Sequence, residues 1–523
     1  MKKFSLVIIL MVSISFLIIS FIGGKIGTYR ENDLNSIKRE NSMNSKLDYV
    51  ELNVYMIGDR PPHTDHIYEE INQMLRQKIN TTIVPKYLSW SEHVKKYPVI
   101  LAGGDDVDLI TAAVWTKYFE YARKGGFLEI TDEMLDKYMP LTMQRMPKNK
   151  INGGVIPETG KRYMIPANYT SYYSHCYVVR QDFMEKYNIR SIHNMDDLGL
   201  YLEAVKQNEP DIIPFSGSGK WNQIMSYGYR AEVEVKANLT GAAPSTAAFV
   251  SMKRGPYELL THEEIKALRI PYYQKMREWY KKGYWNANAP FVTLDTNQEF
   301  MNGNSALTIT SEANINMIIS YVNQNHPTWK VGVYPVYPDG SAVISKPDYQ
   351  NGMAVPVRSE NPERALMVLD LLKNDRKINM TSMYGIEGEY FEITESNAIK
   401  LIGSKKRLEG FSLNQTGASG WRDSEFDLPA YGRNKALLQF FQKNAIDCTI
   451  KNFIFDPTNV QDIHEELTEV TEEKLNMLSW GLVPMGEIER TFDEVYQERV
   501  KAGIEAYKSE INRQLNEYLE FTE

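Results

Sequence analysis

The sequence predicts an α/β protein of more than one lobe, built on open sheets flanked by helices and ending in a helical extension. Three observations predict it. Short β-type runs alternate with amphipathic helical stretches from residue 51 onward. The chain beyond its first 48 residues is too long for one ordinary core, and at 43% hydrophobic residues it has the material for two.

The N-terminus opens with Lys2 and Lys3, and residues 6–24 then run almost unbroken through Leu, Ile, Val, Phe, Met and Ser. A secretory signal core holds ~7–15 apolar residues, whereas ~18 or more can span a bilayer. This run is at the long end. Cleavage needs two small residues spaced by one, and around Gly23 and Gly24 the second place is taken by Phe21 or Ile22. Both a cleaved signal and an uncleaved anchor export the chain beyond Gly24, with the lysines left inside. Residues 25–48 are polar and charged without an apolar face and read as a tether.

Strands are expected at 51–58, 81–88 and 107–111, with a helix at 67–78 whose Ile67, Ile71, Met74 and Leu75 share one face. In such a βαβαβ unit ligands sit outside the carboxyl ends of the strands, which favours the loops at 59–64 and 112–117; Trp115 lies in the second. Further strands are expected at 173–180, 305–310, 330–336 and 352–357, and long helices at 460–478 and 492–519, broken apart by Gly481 and Pro484. The last pair reads as a helical hairpin docked on the core. Cys176 and Cys448 exclude a disulfide framework, leaving one bridge or two buried thiols.

The net charge of −8 gives no basic footprint for nucleic acid. Catalytic constellations fail on inspection. His262 and His464 each lack a second His four residues on, so the zinc-protease pattern is absent. The stretch from Gly217 to Lys220 is followed by Trp221 where a phosphate loop needs Ser or Thr. No acidic calcium loop of the EF-hand type occurs, and no cofactor or metal is expected. Glu387 with Glu389, and Asp423 with Glu425, are the local carboxylate pairs that a glycosidase would need, and ligand hydroxyls or solvent are the preferred reading for them. No catalytic residue is assigned.

Aromatic residues are abundant at 11% and cluster where loops are expected. Flat rings suit the C–H face of a sugar while Asp, Glu, Asn and Arg take the hydroxyls. Trp221, Trp285 and Trp421, flanked by Gly, Ser and Asn, are the candidates for a cleft; Trp279 and Tyr280, at helical spacing, are expected in the core.

Several segments in order resemble one family, the family 1 extracellular solute-binding proteins of ABC importers, and within it the LplA-like lipoproteins of Gram-positive bacteria. They are AGGDDVDLI with GGFLEITDEMLDKYMP, IPETGKRYMIPANYT, VVRQDFMEKYNI, EFMNGNSALTIT, GMAVPVRSENPERALMVLDLL and YGIEGEYFEI, then NFIFDPTNVQDIHEELTEV to the C-terminus, which is similar to that subgroup's terminal domain of unknown function. The resemblance implies a two-lobe, periplasmic-binding-protein-like fold of type II, with a hinge of crossover strands. It implies lobe one at 49–168 plus 306–348, and lobe two at 169–305 plus 349–523 with the helical region from about 450. Ligand contacts carried over by position are Asp59, Arg60, Trp115, Asn168, Tyr169, Trp221, Tyr384, Glu387, Trp421 and Arg422. An oligosaccharide captured for permease subunits by a monomer is the expected activity; a secreted glycan-active enzyme and a binder of peptides or other polar solutes are the alternatives. Two departures stand out: no lipobox Cys occurs between Ser20 and Tyr29, which leaves the 6–24 helix as the membrane attachment, and KQNEPDIIPF offers only Glu209 and Asp211 where some relatives carry a calcium loop.

Overall fold

A computed structural model describes residues 47–58, 60–61, 63–89, 92–104, 106–156, 159–167, 170, 172, 174–218, 239–241, 249–251, 259–292, 294–337, 343–395, 399–402, 431–446 and 450–522. The expected anchor and all but the end of the tether lie outside these residues. Among the described residues no helix is long and apolar enough to cross a membrane.

The elements that position the site run in chain order as β1 (Val50–Ile57), α1 (Thr64–Ile79), β2 (Thr81–Leu88), β3 (Leu109–Ala113), α2 (Tyr118–Arg123), β4 (Ile165–Pro166), β5 (His175–Arg180), β6 (Ile213–Phe215), α3 (His262–Lys282), β7 (Ser305–Ser311), β8 (Val331–Pro335), β9 (Val343–Ile344) and β10 (Asn351–Ala354). Then come α4 (Pro362–Asn374), α5 (Arg376–Tyr384), α6 (Tyr431–Asn444), β11 (Ala445–Ile446), α7 (Gln461–Ser479), α8 (Ile488–Lys501) and α9 (Ile504–Thr522).

Two sheets carry the lobes. One has the order β2-β1-β3-β10-β4, with β1 parallel to β2 and β3 and with β10 antiparallel to β3 and β4. In the other, ordered β8-β5-β7-β6, β5 runs antiparallel to both β7 and β8. Strand β1 shows why the first sheet is buried on both sides. Its alternate residues Leu52, Val54 and Met56 join Ile67, Ile71 and Leu75 of α1 on one face, while Tyr55 and Ile57 join Tyr118 and Phe119 of α2 on the other. Helix α1 ends where Asn80 takes the left-handed conformation and donates its N–H to the Arg76 carbonyl. Helix α3 of the second lobe starts at a Thr261/Glu264 capping box and stops at Gly283.

The sheets correct the expected division of the chain. Strand β7, expected in lobe one with 306–348, pairs with β5 and β6 in lobe two; β10, expected in lobe two with 349–523, pairs with β3 and β4 in lobe one. Helices α4 and α5 come after β10, and the Leu366, Leu369, Leu372 and Ile378 they carry are buried with Leu52 and Ile71. A second difference concerns the C-terminus, where the helix expected over 492–519 is two, broken at Gly503 with φ 93°. The break folds α9 back on α7, so that Tyr507, Ile511 and Leu515 enclose Leu467, Ile450 and Phe455 in a small core of their own. Burying each such side chain stabilises by about 1.5–3 kcal/mol.

Helix α4 carries a buried cation. Lys373 is 1% exposed and donates to the carbonyl of Pro166, in the last strand before the chain leaves lobe one. Burial lowers its pKa to about 7, against a smaller opposing pull from Asp370. The folded state therefore holds fewer protons than the unfolded state between about pH 7 and the ordinary lysine value of 10.5, so Lys373 makes stability rise with pH across that window. Lys373→Met removes this dependence. Melting temperatures of the two proteins, compared at pH 7 and pH 10, should show the wild type gaining on the variant as pH rises; a constant difference contradicts the assignment.

Candidate functional site between the lobes

The register of the strands places one end of each sheet at the crossovers. In lobe one Asn351, where the chain re-enters, pairs with Ala113 at the end of β3, and Ala167, where it leaves, donates its N–H to the Asn351 carbonyl at 2.8 Å. In lobe two Ser311 at the end of β7 pairs with His175 at the start of β5, and Pro335 at the end of β8 pairs with Cys176. The carboxyl ends of the parallel strands thus flank the crossovers on both sides, the position that open α/β sheets give to ligands.

Three stretches of chain lie side by side at the crossovers. Tyr172 bridges to Ser345, and β9 pairs in parallel with β11. At their centre is Asp348, whose side chain is 7% exposed. Its carboxylate accepts from Asn452 at 3.1 Å and pairs with Lys150 at 3.0 Å and Lys451 at 3.6 Å, while its backbone N–H donates to the Asn452 Oδ1 at 2.9 Å. Lys150 also donates to the Thr170 hydroxyl on the first crossover at 3.3 Å. Gly153 makes room, because a Cβ there would come within 2.4 Å of the Asp348 Cβ. On the lobe-two side Tyr172 stacks against Phe441 of α6 at 6.5 Å, and Tyr337 meets the same ring edge-on at 6.3 Å.

Of the expected ligand contacts, the structure brings four to the lobe-one rim. Trp115 occupies the turn after β3, half-buried, with its indole N–H donating to the Asn351 Oδ1 at 3.0 Å and its ring edge-on to His93 at 5.8 Å. Arg60 is exposed beyond β1 and pairs with Asp65 in the first turn of α1. Tyr384 ends α5 with its ring against Phe391 at 5.8 Å, and Glu387 is exposed in the next turn of the chain. That turn bends at Gly385, φ 87°, where a Cβ would strike the Tyr390 ring at 2.6 Å. It then folds onto the start of α1, with Glu389 against His66 at 3.0 Å and Tyr390 against His63 at 6.3 Å between ring centres. The Arg60 loop and the Glu387 turn, far apart in sequence, are therefore neighbours.

Trp285 is a correction. It is 4% exposed and meets Trp480 at 5.8 Å inside lobe two, because the chain after the Gly283 cap turns inward, with the Tyr284 hydroxyl donating to Glu203 and its carbonyl accepting from Phe215. Asp59, Asn168, Tyr169, Trp221, Trp421 and Arg422 lie outside the described residues, as does Cys448; Cys176 is buried in β5. Among the described residues no group of three or more His, Cys, Asp or Glu could hold a metal ion. Sequence reasoning missed Asp348, Asn351 and His93. An Asp after a Pro reads as a turn residue, and its partner Asn452 is 104 positions away.

Burial pushes the Asp348 carboxyl up, but Lys150, Asn452 and Lys451 outweigh it and hold the pKa below the ordinary value. Its contribution to stability is therefore present above the unfolded carboxyl pKa and lost as pH falls through the lower folded one. Asp348→Asn leaves two lysines facing a neutral amide. It should cost about 3–5 kcal/mol in urea unfolding near pH 7, and much less at pH 2–3; an equal loss at both pH values contradicts an ionic role.

Residues 61–377 match the family of bacterial extracellular solute-binding proteins, and residues 449–520 match a domain of unknown function, DUF3502. A carbohydrate ABC transporter substrate-binding protein of Streptococcus pneumoniae serotype 4 is 21% identical over 511 residues, covering 90% of each chain. Among solved structures, the N-glycan transport solute binding protein NgtS of Streptococcus pneumoniae superimposes with a TM-score of 0.72 at 17% identity, covering 90% of this chain and 99% of that one. FusA, an ABC-transporter substrate binding protein of the same organism in complex with kestose, gives 0.61 at 16% identity, with 90% and 99% covered. At these identities the structural likeness is one of fold, the two-lobed α/β fold of type II periplasmic binding proteins. The family match takes in every strand of the two sheets except β1, and the chain belongs to the bacterial extracellular solute-binding proteins.

Proposed function

We propose that this protein captures an oligosaccharide between its two lobes on the outer face of the cell membrane and delivers it to the permease subunits of an ABC importer. The observation that carries the reading is the lobe-one rim, where Trp115 is held by Asn351 and His93 at the ends of strands that face the crossovers. An indole fixed in this way offers a flat apolar face without an ordering cost at binding, and Arg60 and Glu387 supply polar groups for hydroxyls on the same rim. A ligand that touches both lobes favours the closed form by its differential affinity, and closure is what a permease can recognise. The pneumococcal relative is a carbohydrate transporter component, and the NgtS and FusA structures include complexes with Man1GlcNAc and kestose, which supports a sugar ligand here.

The protein does no covalent chemistry on that ligand. Glu387 and Glu389 are both exposed, and Glu389 is engaged by His66; the match to solute-binding proteins supports hydroxyl binding over acid–base work for them. The match of residues 449–520 supports placement in the LplA-like subgroup. The monomer is attached through the apolar segment 6–24, with residues 25–48 as the leash.

A panel of mannose-GlcNAc glycans, fructo-oligosaccharides, alginate oligosaccharides and peptides should separate the ligand classes by thermal shift, since a ligand at 100 times its Kd stabilises by about 2.7 kcal/mol. A shift with at least one glycan, and none with peptides, is expected. Trp115→Ala should weaken that glycan ten-fold or more with the unliganded melting temperature nearly kept. Turnover of the glycan that disappears in Glu387→Gln contradicts the binding reading and makes the protein an enzyme.

A further inference from the structure

The C-terminal domain has no assigned role, and its contacts divide between the two lobes in an unequal way. Its helical body is seated on lobe two. Trp480, at the end of α7, packs on Trp285, and a Cβ at Gly217 would come within 2.4 Å of its ring; Phe492 of α8 stacks on His262 of α3 at 5.4 Å and is buried in the lobe-two core. The leading segment, residues 450–456, is seated on lobe one. Ile454 packs against the lobe-one cluster that holds Tyr118, Phe119 and Ile110, the Phe453 carbonyl accepts from the Tyr349 hydroxyl at 3.2 Å, and Asp456 pairs with Arg123 at the end of α2 at 3.4 Å. Segment and body are rigidly joined. The Gln514 side chain of α9 clasps the backbone of Asp456 through two hydrogen bonds of 2.7 Å, and Phe455 stands edge-on to Tyr507 at 5.0 Å.

We propose that the C-terminal domain is a brace that sets the resting angle between the lobes. The crossovers alone would leave rotation about the Asp348 cluster to soft backbone torsions. A stiff body with a broad apolar seat on lobe two and a narrow seat on lobe one adds a second connection, so a change of interlobe angle must displace Ile454 and the Arg123 pair. The lobe-one seat is the one that yields. Apart from the contacts of Lys451 and Asn452 with Asp348 at the crossovers, it rests among the described residues on one partly buried aliphatic side chain, the Tyr349 hydrogen bond and an ion pair whose members are 22% and 25% exposed, whereas the lobe-two seat contains two tryptophans. Contacts made at one angle and lost at another bias the equilibrium between them by their own free energy. The brace therefore narrows the distribution of ligand-free angles and favours the one in which its lobe-one seat is filled.

The test is made without ligand, so it stands or falls independently of whether the protein binds sugar. Spin labels at Val94→Cys in lobe one and Leu200→Cys in lobe two, both highly exposed positions, are placed on the full chain in detergent with Cys448→Ser, and the interlobe distance distribution is measured by pulsed dipolar spectroscopy. Arg123→Met with Ile454→Ser removes the ion pair and the apolar contact of the lobe-one seat and should broaden or shift the distribution, while Lys474→Met, which breaks ion pairs with Glu494 and Glu498 inside the C-terminal domain, should leave it unchanged. A distribution for the seat variant that superimposes on that of the parent overturns the brace, as does an equal broadening in Lys474→Met. If the double variant does not fold, Asp456→Asn decides. It removes the charge toward Arg123 but keeps the acceptor for Thr458, and a superimposable distribution in that variant overturns the proposal while a broadened one supports it.

Discussion

The arrangement of this protein depends on one buried carboxylate. Asp348 lies where the chain passes between lobes, and the groups that satisfy it come from three separate places in the sequence: Lys150 from lobe one, the Lys451 and Asn452 pair that leads into the C-terminal domain, and, through Lys150, Thr170 on the first crossover. A buried charge without partners is costly, and a network that satisfies it holds its members to one geometry. The lobes on either side have large apolar cores that would tolerate many relative placements. The position of the crossovers is fixed by polar contacts, because these are directional where burial is not.

How much of this was legible in the sequence depends on whether the signal was local. The strands over 81–88 and 175–180, the helix from Thr64 to Ile79 and the alternation in β1 all arise from residues a few positions apart, and they emerged with their ends shifted by three residues or fewer. Strand partnership was not legible. The segment SALTIT has the apolar pattern of a central strand in either sheet, and only tertiary pairing puts β7 beside β5 and β10 beside β3. Exchanging the two moves the lobe boundary without altering a single local signal. The break at Gly503 was written in the sequence as a glycine, but the helical period on either side of it is continuous, so the periodicity masked the stop.

The candidate site divides in the same way. Trp115 was legible because the rule that ligands gather at carboxyl strand ends needs only the strands. Its supports, Asn351 and His93, were not, since the first is 236 residues away. Trp285 was misplaced because a Trp flanked by Tyr and Asn after a glycine looks like a loop residue. The hidden element was Trp480, which returns from the far C-terminal region to cover it. Composition therefore pointed to sugar recognition while individual aromatic assignments were less secure. The abundance of rings is a property of the whole chain, and which of them face a ligand is decided by long-range packing.

The proposed function turns on one motion, the approach of the two lobes about the Asp348 cluster when a ligand fills the space between them. The most direct measurement of that motion is small-angle X-ray scattering on the full chain in matched-out detergent, with and without a glycan selected for binding by its thermal shift. Closure about the cluster requires the radius of gyration to fall at saturating glycan and to recover when the glycan is removed. Scattering that is identical with and without a glycan whose binding has been established contradicts closure, and would describe a protein that binds without moving its lobes.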